Sequence, residues 1–285
     1  MSHPKSSPRP VTPRLLGSLL LAGTAATFAA PPAATAGPAL SAGPGPMVST
    51  SAVGGPFSGA RIWLAQAEGG EGGEAGAVAE APADLAFLAR LHIVEGHLRG
   101  AVSLYHQGLK DEAIGVAYHP EAEMMDEVRA DLAARGLADF TPQLAAVGTA
   151  IEAGAAPEAV DAAMADLARA IATSAAPEAA EKRLRADALV LLMRAAASDY
   201  ANALAAPGTI DLVPYAEAHG FVMTARDRAA ELAGDADPAV AAAAQKMLAA
   251  ITTAEPLFNA PAVAGDPALL LAAAARIELS ASGVK

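Results

Sequence analysis

The sequence predicts an all-α fold. Three observations carry this. From Asp84 onward alanine, leucine and glutamate dominate, and apolar residues recur at spacings of three and four. Alternating Val/Ile/Thr/Tyr runs and Asn-Gly hairpin turns are missing. Helix punctuation is frequent: Gly108, Gly136, and the Asp-Pro pairs at Asp237-Pro238 and Asp266-Pro267. Helices joined by short connections predict an up-down antiparallel bundle with additional short helices.

The chain opens on segments that precede this domain. Lys5, Arg9 and Arg14 lead into the apolar run Leu15–Ala30, and Ala34-Thr35-Ala36 sets small residues before Gly37. A basic start, an apolar stretch and an A-x-A site are the parts of a secretory signal peptide, assigned to residues 1–36. The run is short of the roughly 20 apolar residues that span a bilayer. Periplasmic localisation, without stable membrane insertion after cleavage, is the expectation. Residues 37–82, rich in Gly, Pro and Glu, read as a disordered tether with one apolar island at Arg61-Ile-Trp-Leu64. The helical domain is assigned to residues 83–282.

The first helix is expected to open at Asp84 and run to Gln107, with Phe87, Leu91, Val94, Leu98, Ala101 and Tyr105 along its buried face. Asp111–Tyr118 follows, and His119-Pro120 is expected to break the chain before a helix ending at Gly136. Further segments span Thr141–Ala153 and Pro157–Ser174. The longest runs Pro177–Ala206, with Leu184, Leu191, Ala195 and Leu204 as its packing stripe. Val213–Ala233, Asp237–Thr252 and Asp266–Ser280 complete the set.

Charge narrows the partners. Loss of residues 1–36 takes three basic residues with it and moves the net charge from −12 to −15. Polyphosphate repels such a chain, so nucleic acid is not an expected partner; cations and basic surfaces are compatible with it. With no cysteine, there are no disulfides, thiolate metal sites or covalently attached haem.

Histidines supply the chemistry. His92 and Glu95, three apart on the first helix, could share a metal ion if a second helix completed the shell; as a structural row they would join Arg99 in a hydrogen-bonded network. His119 stands in HPEAEMMDE among carboxylates and methionines. Tyr215, His219 and Met223 are spaced by four, with Glu217 and Phe221 on the adjoining line. His with Met suits copper, and His with carboxylate suits iron, zinc or manganese. The candidate metal ligands are therefore His92, Glu95, His119, His219 and Met223, for an iron or copper ion. Haem is not expected, because aromatic residues to wall its pocket are scarce. No nucleophile elbow, phosphate-cradling glycine loop or His-Glu-x-x-His motif points to an enzyme.

Asp199-Tyr200-Ala-Asn-Ala203, Gly208-Thr-Ile-Asp211 and Tyr215-Ala-Glu217-Ala-His-Gly-Phe221 together resemble the extracytoplasmic helical region of bacterial iron permeases. Leu212-Val213-Pro214 departs from that pattern, and no Arg-Glu-x-x-Glu membrane helices follow. His92-x-x-Glu95 is also similar to the His-x-x-Glu of imelysin-like periplasmic iron-uptake proteins. These resemblances imply an exported helical protein that binds or hands over a transition metal, or assists an envelope metal transporter. Tyr200, Tyr215 and Glu217 are carried over as structural or metal-facing positions. The alternative is a metal-free scaffold of the cell envelope.

Overall fold

A computed structural model describes residues 76, 78–206, 208–259 and 265–284. The signal-peptide assignment, the Trp63 island and most of the tether lie outside them. The described residues form nine α-helices and no strand. They are α1 (Ala83–His106), α2 (Lys110–Glu123), α3 (Met125–Arg135), α4 (Thr141–Glu152), α5 (Pro157–Ala175), α6 (Lys182–Ala203), α7 (Leu212–Ala233), α8 (Pro238–Thr252) and α9 (Ala268–Ala281). Short 3₁₀ turns, Glu178–Ala180 and Glu255–Phe258, precede α6 and follow α8. Among the described residues, no helix is long and apolar enough to cross a membrane.

Helix α1 is the hub. It packs on α7, α2, α6 and α5, while α6 and α9 close on one another and α8 bridges α7 and α9. The stripe read from sequence is buried from Phe87 to Ala101, with Tyr105 half-buried. Burial extends well beyond that stripe, through Leu88, His92, Ile93, Glu95 and His97, so α1 is covered on nearly every side. On α6 the fully buried line is Ala186, Leu189, Met193, Ala196 and Tyr200. Leu184, Leu191 and Leu204 flank it, half-buried against the core.

Small residues let the two main helices meet. A Cβ on Gly220 of α7 would collide with the Gly96 carbonyl oxygen of α1 and lie 2.8 Å from the Gly100 nitrogen. A Cβ on Gly100 would lie 2.5 Å from the Ala216 carbonyl oxygen. The backbones are thus in direct contact, which only glycine permits.

Several ends obey ordinary capping rules. Gly108 and Gly136, at φ 80° and 66°, take the left-handed conformation that terminates α1 and α3. Asp237 accepts a hydrogen bond from Ala239 N at 2.9 Å, and Asp211 accepts one from Val213 N at 3.1 Å. Asp84 lies in the first turn of α1 behind Pro82, where an acidic side chain favours the helix N-terminus.

Two expected boundaries move. His119-Pro120 does not break the chain: α2 runs through the buried Pro120 and stops at Met124, with φ −147° and ψ −7°. Pro120 forfeits only one backbone bond, and its ring is accommodated in the core, so the helix continues one turn further. The long Pro177–Ala206 element divides at Glu181, whose extended backbone (ψ 102°) separates the 3₁₀ turn from α6.

Candidate metal centre

His97 of α1, His119 of α2 and Glu217 of α7 converge in the interior. One ligand atom from each lies within 4.8 Å of the other two. The close approach of α1 and α7 is what places them there. His97 follows Gly96, Glu217 precedes Gly220 by three residues, and both glycines lie in the backbone contact. The continuation of α2 past Pro120 adds Glu123 one turn beyond His119, its Oε1 at 4.0 Å from His119 Nδ1.

The geometry around His97 fixes its tautomer. Its Nδ1 lies 3.0 Å from the Ile93 carbonyl oxygen, an acceptor, so Nδ1 carries the proton in the neutral ring. The lone pair then belongs to Nε2, which faces Glu217 Oε1 and Glu123 Oε2 at 3.7 Å each. A backbone carbonyl that fixes the tautomer this way is a common support for metal-bound imidazole. Phe221 meets the ring edge-on at 5.0 Å between centroids and walls the site on its apolar side.

Exposure across the cluster is graded. The side chain of His97 is wholly buried and that of Glu217 is 7 % exposed, whereas His119 is 36 % and Glu123 28 % exposed. The site therefore opens toward α2. His119 Nδ1 hydrogen-bonds the Glu217 carboxylate. That bond, outweighing partial burial, holds the His119 imidazole above its usual pKa.

The other sequence-derived ligands fall elsewhere. Glu95 is fully buried but receives Arg99 at 2.8 Å on one oxygen and Arg228 on the other. Arg99 also reaches Asp227 of α7 at 2.6 Å. Of the expected His92–Glu95–Arg99 row, Glu95 and Arg99 thus form an ion-pair network between α1 and α7. His92 lines a separate cavity with Arg185 and Arg228, and burial, with those two cations, lowers its pKa to about 3. His219 stacks on Phe258 at 4.9 Å, and burial lowers its pKa. Met223 lines a groove with Arg99, His106, Asp161 and Met164. Of the five, the structure brings only His119 into the cluster.

Of the residues carried over by resemblance, Glu217 lies in the cluster, whereas Tyr200 and Tyr215 lie 6.0 Å apart in an aromatic group with Phe258. Burial pushes the Tyr215 hydroxyl up to about 12. His97 is the residue that sequence reasoning misses. Its signals are an imidazole one turn from both Ile93 and Ala101, on a buried line, and the flanking Gly96-x-x-x-Gly100 spacing.

Comparison of the chain with known protein families, with curated proteins and with solved structures gives no match in any of the three. The resemblances to iron permeases and imelysin-like proteins therefore rest on the residues named above alone.

Proposed function

We propose that this bundle binds a divalent transition-metal ion through His97, His119 and Glu217, with Glu123 as a fourth ligand, and that it holds or hands over that ion in the cell envelope. The observation that carries the reading is the convergence of two imidazoles and a buried carboxylate from three helices within 4.8 Å. Two nitrogens with carboxylate oxygens suit iron, zinc or manganese better than cuprous copper, which prefers sulfur. The half-exposed His119 gives the ion a route in and out, as a protein that passes on its cargo requires. The envelope location rests on the signal-like residues 1–36 and on the acidic charge of residues 37–285. A transporter partner is the natural recipient.

A second reading is favoured by the direct His119–Glu217 hydrogen bond, which joins α2 to α7 without an ion. On that reading the cluster is a structural ion pair in a metal-free envelope scaffold.

The two separate in one experiment. The full chain, purified without chelator or affinity tag, is subjected to elemental analysis and to melting scans with and without Fe(II), Zn(II), Mn(II) and Cu(II). Binding to the native state at a hundredfold excess over Kd stabilises it by about 2.7 kcal/mol. The metal reading expects a raised melt that is lost in Glu217→Gln. Melts unmoved by every ion, with no metal in the protein, overturn it and leave the scaffold.

A further inference from the structure

A second site lies where α1, α5, α6 and α7 meet. A partly open cavity of about 90 Å³ lies there, far above the roughly 10–15 Å³ that one water needs. Its apolar wall includes Leu88, Ile171 and Ala175, and its polar side carries His92, Arg185 and Arg228. Two polar groups on that side lack a hydrogen bond among the described residues. His92 is 5 % exposed, and its Nδ1 is buried with no hydrogen-bond partner. Arg185 donates no hydrogen bond among the described residues; its nearest carboxylate oxygen, Glu231 Oε2, lies at 3.9 Å. Arg228, by contrast, is held by Glu95 and by Glu231 at 2.6 Å. A buried polar atom without a partner is costly, and His92 Nδ1, on the same cavity lining as the unbonded Arg185 guanidinium (side chain 22 % exposed), marks a place that a ligand can complete.

Arg228 is taken up by Glu95 and Glu231, which leaves Arg185 as the unbonded cation of a lining that is otherwise apolar apart from His92. Positive charge over an apolar pocket selects a small anion with an apolar tail. With its proton on Nδ1 the neutral imidazole would complete the donor set, and burial, with the field of Arg228 and Arg185, opposes a second proton on His92. Inorganic phosphate satisfies the charge but wastes the apolar wall, and an uncharged solute offers Arg185 no counter-charge.

We propose that this cavity binds a short aliphatic monocarboxylate, with its carboxylate between Arg185 and His92 Nδ1 and its tail against Leu88, Ile171 and Ala175. The arginine fork matches a carboxylate in geometry as well as charge. The site shares no residue with the metal cluster, so it stands or falls separately from the metal reading.

The test uses the full chain and sodium propionate and butyrate as probes, with sodium chloride at equal ionic strength and propionamide as controls. All are run in chelator and repeated without it, so that carboxylate bound through a metal is recognised. The expected result is a raised melting temperature with propionate or butyrate only, the same with and without chelator. Arg185→Gln weakens the apparent affinity at least tenfold. Ala175→Leu, which fills the cavity with hydrocarbon, abolishes the shift while the protein stays folded, and serves if Arg185→Gln does not fold. Equal shifts from chloride or propionamide, no shift at all, or a carboxylate effect undiminished by Ala175→Leu overturns the proposal and leaves a water-filled cavity.

Discussion

Gly220 of α7 rests against Gly96 of α1 so closely that neither backbone leaves room for a methyl group: a Cβ on Gly220 would lie 2.9 Å from the Gly96 carbonyl carbon. His97 and Glu217 face each other because of that contact. A wider separation of the two helices would draw the imidazole away from the carboxylate.

Gly220→Ala should accordingly damage both stability and site. Overpacking in a dense interior costs ~1–3 kcal/mol, and here the clash is with backbone, which cannot rotate aside, so the upper end is expected. Urea denaturation should show this loss. Any metal response that remains should be weaker than in the native chain.

Substitutions at the histidines and their neighbours should separate the ligands from the other residues. His97→Gln and Glu217→Gln should each remove the metal-induced rise in melting temperature. His219→Gln and Met223→Leu should leave it intact, because His219 stacks on Phe258 and Met223 lines a groove beyond the cluster. Titration calorimetry with Zn(II) on the four variants checks the partition.

His92 should make the protein acid-sensitive. Its folded pKa, about 3, lies below the ordinary value of 6.5, so the neutral ring's contribution is complete above pH 6.5 and is lost as pH falls toward 3. In that window unfolding takes up a proton at His92, a slope of at most ~1.4 kcal/mol per pH unit. His119, whose pKa is raised, acts in the opposite sense: its contribution is present below pH 6.5 and is lost at higher pH. The difference in denaturant stability between the native chain and His92→Gln, measured at pH 7, 6 and 5, isolates the His92 part and should narrow as pH falls.

Arg228→Ala should cost ~3 kcal/mol, near the lower end for breaking a buried pair, because Arg99 still covers one oxygen of the fully buried Glu95. Adding Glu95→Gln should recover part of the loss by removing the uncompensated charge. A double-mutant cycle by chemical denaturation reads the coupling.

The all-α class was legible because helical spacing and the Asp and Gly punctuation are local properties. Gly108 and Gly136 stop their helices where expected. His119-Pro120 misled because a proline's effect depends on whether its ring finds space in the core, which no local pattern records. The His97–His119–Glu217 cluster was half legible. His119 stood out among its carboxylates, and Glu217 was reached through a resemblance. His97 stayed hidden because its partners are 22 and 120 positions away in the chain, and because an imidazole on an apolar helix line looks like core. Conversely, His92 and Glu95 had ligand spacing, but α7 brings Arg228 to them, a long-range cation that spacing cannot announce.

The ion pairs that tie α1 to α7 span 128 and 133 residues, which gives the order of synthesis a physical consequence. The hub helix leaves the ribosome first, and its chief partner emerges only after most of the chain has been made. At ~5–20 residues per second that delay is on the order of ten seconds. Through that interval the side of α1 that meets α7 is without its partner, with only the earlier helices, chiefly α2, α5 and α6, able to pack on the helix, and it stays available to a chaperone.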